Sequence, residues 1–289
     1  MLTRRNFLSL SALAAGVGIY PELYAEASAA SPNLTLTTLI GGAVVPQRKV
    51  LEWEARRLQV VAERLRHNLP GAVAKELDAL IRRPALSTAN VARDRQMLAD
   101  VKMCLGEAEM RKLMAGDLAV SNPTAVLTAA PKKWAISRTE IRSSRGTAAG
   151  FATWFDKLRT RNDVRALLVA CPDHYVVTTG AHGKQEVIEV TGGAVLASRF
   201  RIDYSDTAEV PIAVDPKFGI QVAGCARNDK GTMIGGVRHQ FRNHPGGGFT
   251  AKLAVAFPVL LPPWCAPEHR WHLACEFGNW ITAYAATTA

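Results

Sequence analysis

The spacing of hydrophobic residues along the chain changes from a helical repeat to an alternating one. In residues 30–118, apolar side chains recur at intervals close to 3.6, as at Leu51, Leu58, Val61 and Leu65. Prolines divide this stretch into three predicted helices. We therefore expect a helical region over residues 30–118.

The pattern changes after residue 118. Residues 119–145 contain Pro123, Pro131 and several serines and threonines, which predicts a connector with little regular structure. Beyond it, Phe151 and Trp154 begin a short stretch with helical spacing. We expect residues 146–289 to form one α+β domain.

Residues 164–258 alternate between apolar and polar positions, which is typical of strands that bury one face. The apolar run at 166–171 is interpreted as the first short strand. Turn residues separate the later strands into hairpins, at residues 180–183, 228–231 and 245–248. A long helix is expected after Pro262 and Pro263.

The predicted fold class is α+β: an N-terminal helical segment, then an antiparallel β-meander of about six strands covered by a long C-terminal helix. This element order, over about half of the chain, resembles the helix-grip arrangement of START-like and polyketide-cyclase-like ligand-binding proteins. The resemblance implies a ligand pocket between the sheet and the terminal helix.

Alternation also predicts which strand residues face that pocket. In the stretch VRHQFRN, Val237, His239 and Phe241 share one face, and Arg238 and Gln240 point to the opposite side, toward water. An earlier strand contributes an apolar face of its own. The predicted ligand-binding residues are Phe200, Ile202, Tyr204, Phe241 and His269.

The terminal helix carries an apolar stripe with a polar edge. At 100° per residue, the stripe that closes over the sheet contains Leu273, Phe277, Trp280 and Tyr284. His269, His272 and Glu276 lie at its edge, within roughly 60° of one another.

This polar edge allows two chemical interpretations. His272 and Glu276 are one turn apart, so the carboxylate can orient the imidazole, and His239 would face them from the sheet. The predicted catalytic set is therefore His239, His272 and Glu276, acting in general acid–base chemistry. Alternatively, His239 is a structural histidine that bonds to a backbone carbonyl or a tyrosine, and the helix pair is partly exposed.

A metal ion is the alternative cofactor, although none is predicted in the main interpretation. His269 and Glu276 lie about 10 Å apart along the helix axis, so one ion cannot easily bind all three helix residues. A site would need a sheet histidine, His174 or His239. The alternative metal ligands are His269, His272 and His239.

Composition narrows the functional classes. With 48% hydrophobic and 21% charged residues, the chain is expected to fold. The net charge is +10, but the basic residues are dispersed and not interleaved with aromatics, so no nucleic-acid partner is expected. Neither a Rossmann glycine pattern, a phosphate loop nor a G-x-S-x-G elbow is present. The five cysteines form no C-x-x-C pair, which favours buried thiols over a Cys265–Cys275 disulfide.

Residues 1–29 have the layout of a secretory signal. Arg4 and Arg5 precede Phe7 after a single residue, and the apolar run that follows ends near small A-x-A cleavage sites. The arginine pair resembles the twin-arginine export motif of bacteria. We expect the export machinery as a partner, a periplasmic or secreted location, and no stable membrane span after cleavage.

The predicted function is that of an exported protein that binds or converts a small, largely apolar molecule between the sheet and the terminal helix. Two alternatives stay open. One is a metal-dependent enzyme or metal carrier that uses the C-terminal histidines, and the other is a non-catalytic binding or assembly protein.

Overall fold

A computed structural model describes residues 34–288 apart from 68, 70 and 85, so the predicted signal at 1–29 lies outside the described residues. The helices are α1 (Gln47–Arg66), α2 (Gly71–Ile81), α3 (Val91–Ala129), α4 (Ala148–Thr160), α5 (Val164–Val169) and α6 (Cys265–Ala286). The strands are β1 (Leu36–Ile40), β2 (Ala43–Val45), β3 (Trp134–Ser143), β4 (His174–Thr179), β5 (Gln185–Glu189), β6 (Ser198–Asp203), β7 (Ile220–Arg227), β8 (Met233–Asn243) and β9 (Phe249–Pro258).

The described strands form one antiparallel sheet in the order β2-β1-β3-β9-β8-β7-β6-β5-β4. Strands β4 to β9 are the predicted meander, and the expected turns separate its hairpins. The long helix α6 follows the last strand. The α+β class and this element order are therefore confirmed.

The predicted connector at 119–145 is wrong. Helix α3 continues through Pro123, and β3 then pairs along its whole length with β9. The inward face of β3 carries the small polar residues Ser137, Thr139 and Ser143, all buried, so its hydrophobic alternation is weak. The Thr139 hydroxyl is satisfied by donating to the Arg270 carbonyl of α6, at 2.8 Å.

Two further corrections concern short segments. Residues 36–45, assigned to the helical region, form the β1–β2 hairpin at one edge of the sheet. The apolar run at 166–171, taken for a strand, lies mainly in α5. The Asp163 side chain caps this helix by accepting a hydrogen bond from the Ala166 amide, at 3.1 Å. Short apolar runs do not distinguish a helix from a strand by period alone.

The two faces of the sheet are both covered. Helices α4 and α6 pack on one face, around an aromatic core that includes Phe151, Phe155, Phe277 and Trp280. On the other face, α1 and α3 cover Val176 and Ile188 near the β4–β5 hairpin, and Val210 and Ile212 cover part of β7 and β9.

Arg238 and Gln240 lie on this second face but are buried, so the prediction that they point toward water is wrong. The segment that follows β6 folds back over them. The Arg238 guanidinium donates to the Ile212 carbonyl at 2.8 Å, and the Gln240 amide donates to the Asp215 carbonyl at 3.0 Å.

Among the described helices, none is both apolar and long enough to cross a bilayer.

Candidate functional site

A cavity of about 390 Å³ lies between the first face of the sheet and α6. Its walls are largely apolar, with side chains from β5, β6, β8, β9 and α6 that include Val187, Phe200, Ile202, Val237, Val255 and Phe277. Its lining also includes residues of the second half of α3, residues 194–196, and Pro258, Leu261, Pro262 and Trp264. This volume is in the range of small-molecule sites.

One end of the cavity, here called the polar floor, is lined by imidazole and carboxyl groups. Its members are His174, Glu189, His239, His269, His272 and Glu276. The side chain of Glu276 is 14% exposed, and the five other residues are each at most 6% exposed. The floor thus concentrates proton-carrying groups in a largely water-excluded part of an otherwise apolar cavity.

A β-bulge in β4 orients the His174 side chain toward the polar floor. The pairing of β4 with β5 shifts register between His174 and Val176, so Tyr175 and Val176 both pack toward α1 and α3. His174 can therefore face the cavity together with Val177, as bulges commonly re-aim a side chain. Its Nδ1 lies 2.8 Å from the Leu167 carbonyl oxygen and donates to it, which leaves the Nε2 lone pair toward the floor.

Two cations hold the segment that ends at His174. The Arg57 guanidinium binds the Asp173 carboxylate with two contacts, at 2.8 and 2.7 Å. The Lys102 ammonium donates to the Pro172 and His174 carbonyl oxygens, each at 2.6 Å. Burial lowers the pKa of Lys102 to about 8. These contacts fix the segment from which the imidazole projects.

Two carboxyl groups face the imidazoles of the floor. The His174 Nε2 lies 3.5 Å from an oxygen of Glu189 and 3.5 Å from an oxygen of Glu276. The His272 Nε2 lies 3.8 Å from Glu189 and 3.9 Å from Glu276. The Thr191 hydroxyl donates to the other oxygen of Glu189, at 3.1 Å.

The remaining imidazoles complete the floor. The His269 ring stacks on the His272 ring, with centroids 4.9 Å apart, and the His239 ring contacts Phe277 at 4.7 Å. Within the described chain, the buried Nδ1 atoms of His239 and His269 have no hydrogen-bond partner. Each of these rings therefore has a nitrogen to which a ligand could bind.

Burial sets the protonation of the floor. It lowers the pKa of the His174, His239 and His272 imidazoles, each to about 3. It raises the pKa of the Glu189 carboxyl to about 8, and burial with the nearby Glu189 raises the pKa of Glu276 well above its usual range. The floor by itself therefore favours neutral imidazoles and neutral carboxyls near pH 7.

The structure brings most of the predicted site residues together. His239, His272 and Glu276, the predicted catalytic set, all line the polar floor. The predicted ligand-binding residues that line the cavity are Phe200, Ile202, Tyr204 and His269. Their chemical roles stay predictions.

Phe241 is the exception, and its assignment to the cavity wall is wrong. It is buried in the aromatic core, where its ring lies 5.3 Å from that of Phe151, because α4 covers this end of β8. The alternative metal set is also only partly assembled. His269 and His272 group with Glu189 and not with His239.

The cysteines are free thiols in this structure, so Cys265 and Cys275 are not bonded to each other. Cys171 is the cysteine nearest to the floor among the contacts described, with its Sγ 3.8 Å from the His272 Nδ1. Burial raises the pKa of the Cys171 thiol well above its usual range, which disfavours the thiolate form.

Gly192 allows the turn that follows β5 to pack closely against α6. Its φ is +58°, and a Cβ there would lie 2.5 Å from the Cys265 carbonyl oxygen and 2.9 Å from the His269 Cβ. We expect Gly192→Ala to lower the free energy of unfolding by about 1–3 kcal/mol, because the left-handed backbone is strained and α6 must shift. Urea unfolding measures this loss.

Gly183→Ala is the matched control for this prediction. Gly183 also has a positive φ, +73°, but a Cβ there would meet nothing within 4 Å. It should therefore show the backbone cost alone. An equal loss in both variants would contradict close packing of the Gly192 turn on α6.

No protein-family model, curated protein or solved structure matches this chain. The interpretation of the site therefore depends on its own geometry and chemistry.

Proposed function

We propose that the protein binds and converts a small, largely apolar molecule in the cavity between the sheet and α6. The observation that carries this proposal is a cavity of about 390 Å³ with largely apolar walls and a cluster of imidazole and carboxyl groups in its lining. Such a distribution suits a ligand whose hydrocarbon part contacts the walls and whose one polar group reaches the floor.

His239 is the group that we propose exchanges a proton with the ligand. It lies on β8 among apolar neighbours, and its Nδ1 has no partner within the described chain. A neutral imidazole can accept a proton from a bound molecule and return it to another atom. His272 and Glu276, one helical turn apart, would position the ligand's polar group opposite His239.

Filling the cavity tests the binding part of this proposal. Val255 lines the cavity wall, so we expect Val255→Trp to abolish binding of an apolar fluorescent probe. The matched control is Val44→Trp, the same change at an exposed valine of β2, which should leave probe binding intact. The measurement is fluorescence titration of the full chain, followed by displacement with candidate small molecules.

His239→Phe separates conversion from binding, because it removes the nitrogens but keeps a ring in the wall. We expect His239→Phe to bind the apolar probe but to lose turnover of a compound that displaces the probe. The proposal fails if the wild-type chain binds no apolar probe, or if Val255→Trp and wild type bind it equally. Unchanged turnover in His239→Phe would rule out its role in proton transfer.

We also propose export by the twin-arginine route, on the basis of the sequence at residues 1–29. Changing Arg4 and Arg5 together to lysine should keep the chain in the cytoplasm of a bacterial host, as measured by cell fractionation. Continued export of that variant would contradict the proposal.

A further inference from the structure

We propose that the polar floor is a binding site for one divalent first-row transition-metal ion, with Glu189, His269 and His272 as its ligands and with His174 and Glu276 beside them. The site deepens the proposed function, because its ion would face the ligand cavity. The inference depends on the spacing of these groups, on what holds them, and on their donor chemistry.

The spacing is that of ligands around an ion. One ligand atom from each of Glu189, His269 and His272 lies within 4.8 Å of the others. The His272 Nε2 lies 3.8 Å from Oε2 of Glu189, whereas a direct hydrogen bond between such groups would close to about 2.7–2.9 Å. Two ligand atoms that are each about 2.1 Å from a tetrahedral zinc ion are about 3.4 Å apart. The spacing of this group is therefore close to that of ligands that share an ion.

The neighbours of the floor orient its donor atoms. His174 donates its Nδ1 proton to the Leu167 carbonyl, so its Nε2 is the free donor. The Thr191 hydroxyl binds Oε1 of Glu189, and Oε2 is the oxygen that lies near both imidazoles. Metal-binding histidines and carboxylates typically have outer partners of this kind.

The charges of the floor also favour a cation. Within the described part of the chain, the basic side chains within 4.0 Å of Glu189 and Glu276 are His174 and His272, with no lysine or arginine among them. Two buried carboxyl groups near each other ionise together only when a cation lies between them. A divalent ion would supply that cation.

His269 supplies an independent observation. It is 4% exposed, lines the cavity, and has a buried Nδ1 with no partner in the described chain. An unsatisfied imidazole at this position is available as a ligand on the cavity side of the ion.

The donor set indicates the class of metal. Imidazole nitrogen with carboxylate oxygen suits zinc, manganese, iron or cobalt, whereas calcium and magnesium prefer oxygen alone. An ion here would act as a Lewis acid on the polar atom of a molecule in the cavity. The proposed ligand class is accordingly a small apolar molecule with one oxygen or nitrogen donor.

Metal analysis of the full chain, purified without chelators, tests the site. We expect a first-row ion in stoichiometric amount, removable by a chelator. Cobalt(II) added to the stripped protein should then develop a visible absorption spectrum that reports nitrogen and oxygen ligands. Glu189→Gln, which conserves side-chain shape, and His272→Gln should each lose the retained ion and this spectrum.

Three further variants make the result specific. Thr191→Val removes only the outer hydroxyl and should weaken cobalt binding by about 10- to 100-fold without removing a ligand. His239→Gln alters an imidazole of the same cavity that belongs to no group of potential metal ligands among the described residues, so it should keep the ion. Glu63→Gln, at an exposed position on α1, controls for the loss of a carboxylate.

Two results would overturn the proposal. One is a wild-type protein that neither retains an ion nor gives a cobalt spectrum. The other is equal metal binding in wild type, Glu189→Gln and Thr191→Val, since Thr191→Val keeps the test valid if the glutamine variants fail to fold. Val255→Trp separates this site from the proposed function, because it should lose the apolar probe yet keep the ion.

Discussion

Phe151→Ala is expected to lower the free energy of unfolding by about 3–5 kcal/mol, the range for removing a fully buried aromatic ring. Phe151 is fully buried at the centre of the aromatic core. Its ring lies 5.3 Å from Phe241, 5.4 Å from Phe249 and 5.7 Å from Tyr284. The variant loses these ring contacts and leaves a void between α4, α6 and the sheet. Urea unfolding followed by circular dichroism gives the value.

Two comparisons make this expectation specific. Phe151→Leu keeps most of the apolar volume and should cost clearly less. Trp264→Ala removes a larger ring, but one that is 57% exposed, so it should change stability little. A loss for Phe151→Ala no greater than that for Trp264→Ala would contradict a core centred on Phe151.

Asp173→Asn is expected to cost about 3–5 kcal/mol, because it removes one partner of a buried ion pair and leaves the other charge uncompensated. The Asp173 carboxylate is fully buried and binds Arg57 through two contacts. The hydrogen bonds described for the Arg57 guanidinium go to Asp173, which raises the pKa of Arg57 against the effect of burial. Thermal and urea unfolding measure the loss.

Asp156→Asn is the matched control. Asp156 pairs with Arg159 on the surface of α4 and is 54% exposed, so its loss should cost about 1 kcal/mol or less. Asp173→Asn should also weaken cobalt binding, because Asp173 holds the segment that carries His174. Equal stability of the two variants would show that the Arg57–Asp173 pair does not anchor this segment.

The sequence predicted the fold wherever one period persisted over a whole element. Strands β4 to β9 alternate clearly, and the stripe from Leu273 to Tyr284 identified the face of α6 that packs on the sheet. Strand β3 was missed because small hydroxyl residues, including Ser137 and Thr139, occupy its inward positions. A strand with a polar inward face can be recognised only when the hydrogen-bond partners of that face are known, such as the Arg270 carbonyl for the Thr139 hydroxyl.

The candidate site was predictable only in part for a related reason. His239 and His272 followed from the periods of β8 and α6. A strict alternation in β4 would place His174 on the same face as Val176, whereas the bulge puts it in the cavity. Glu189 became relevant only through its neighbours His174 and His272, which come from distant parts of the chain. Local sequence patterns do not predict which residues from distant parts of the chain come into contact.

Helix α6 covers the first face of the sheet and also carries His269, His272 and Glu276. It follows every strand of the sheet along the chain. While residues 265–286 are still being synthesised, α6 therefore cannot cover the apolar face of the strands. Apolar surface exposed in this way is prone to aggregation. The proposed ion would accordingly bind last in biosynthesis, since only a chain that has docked this helix brings the proposed ligands together.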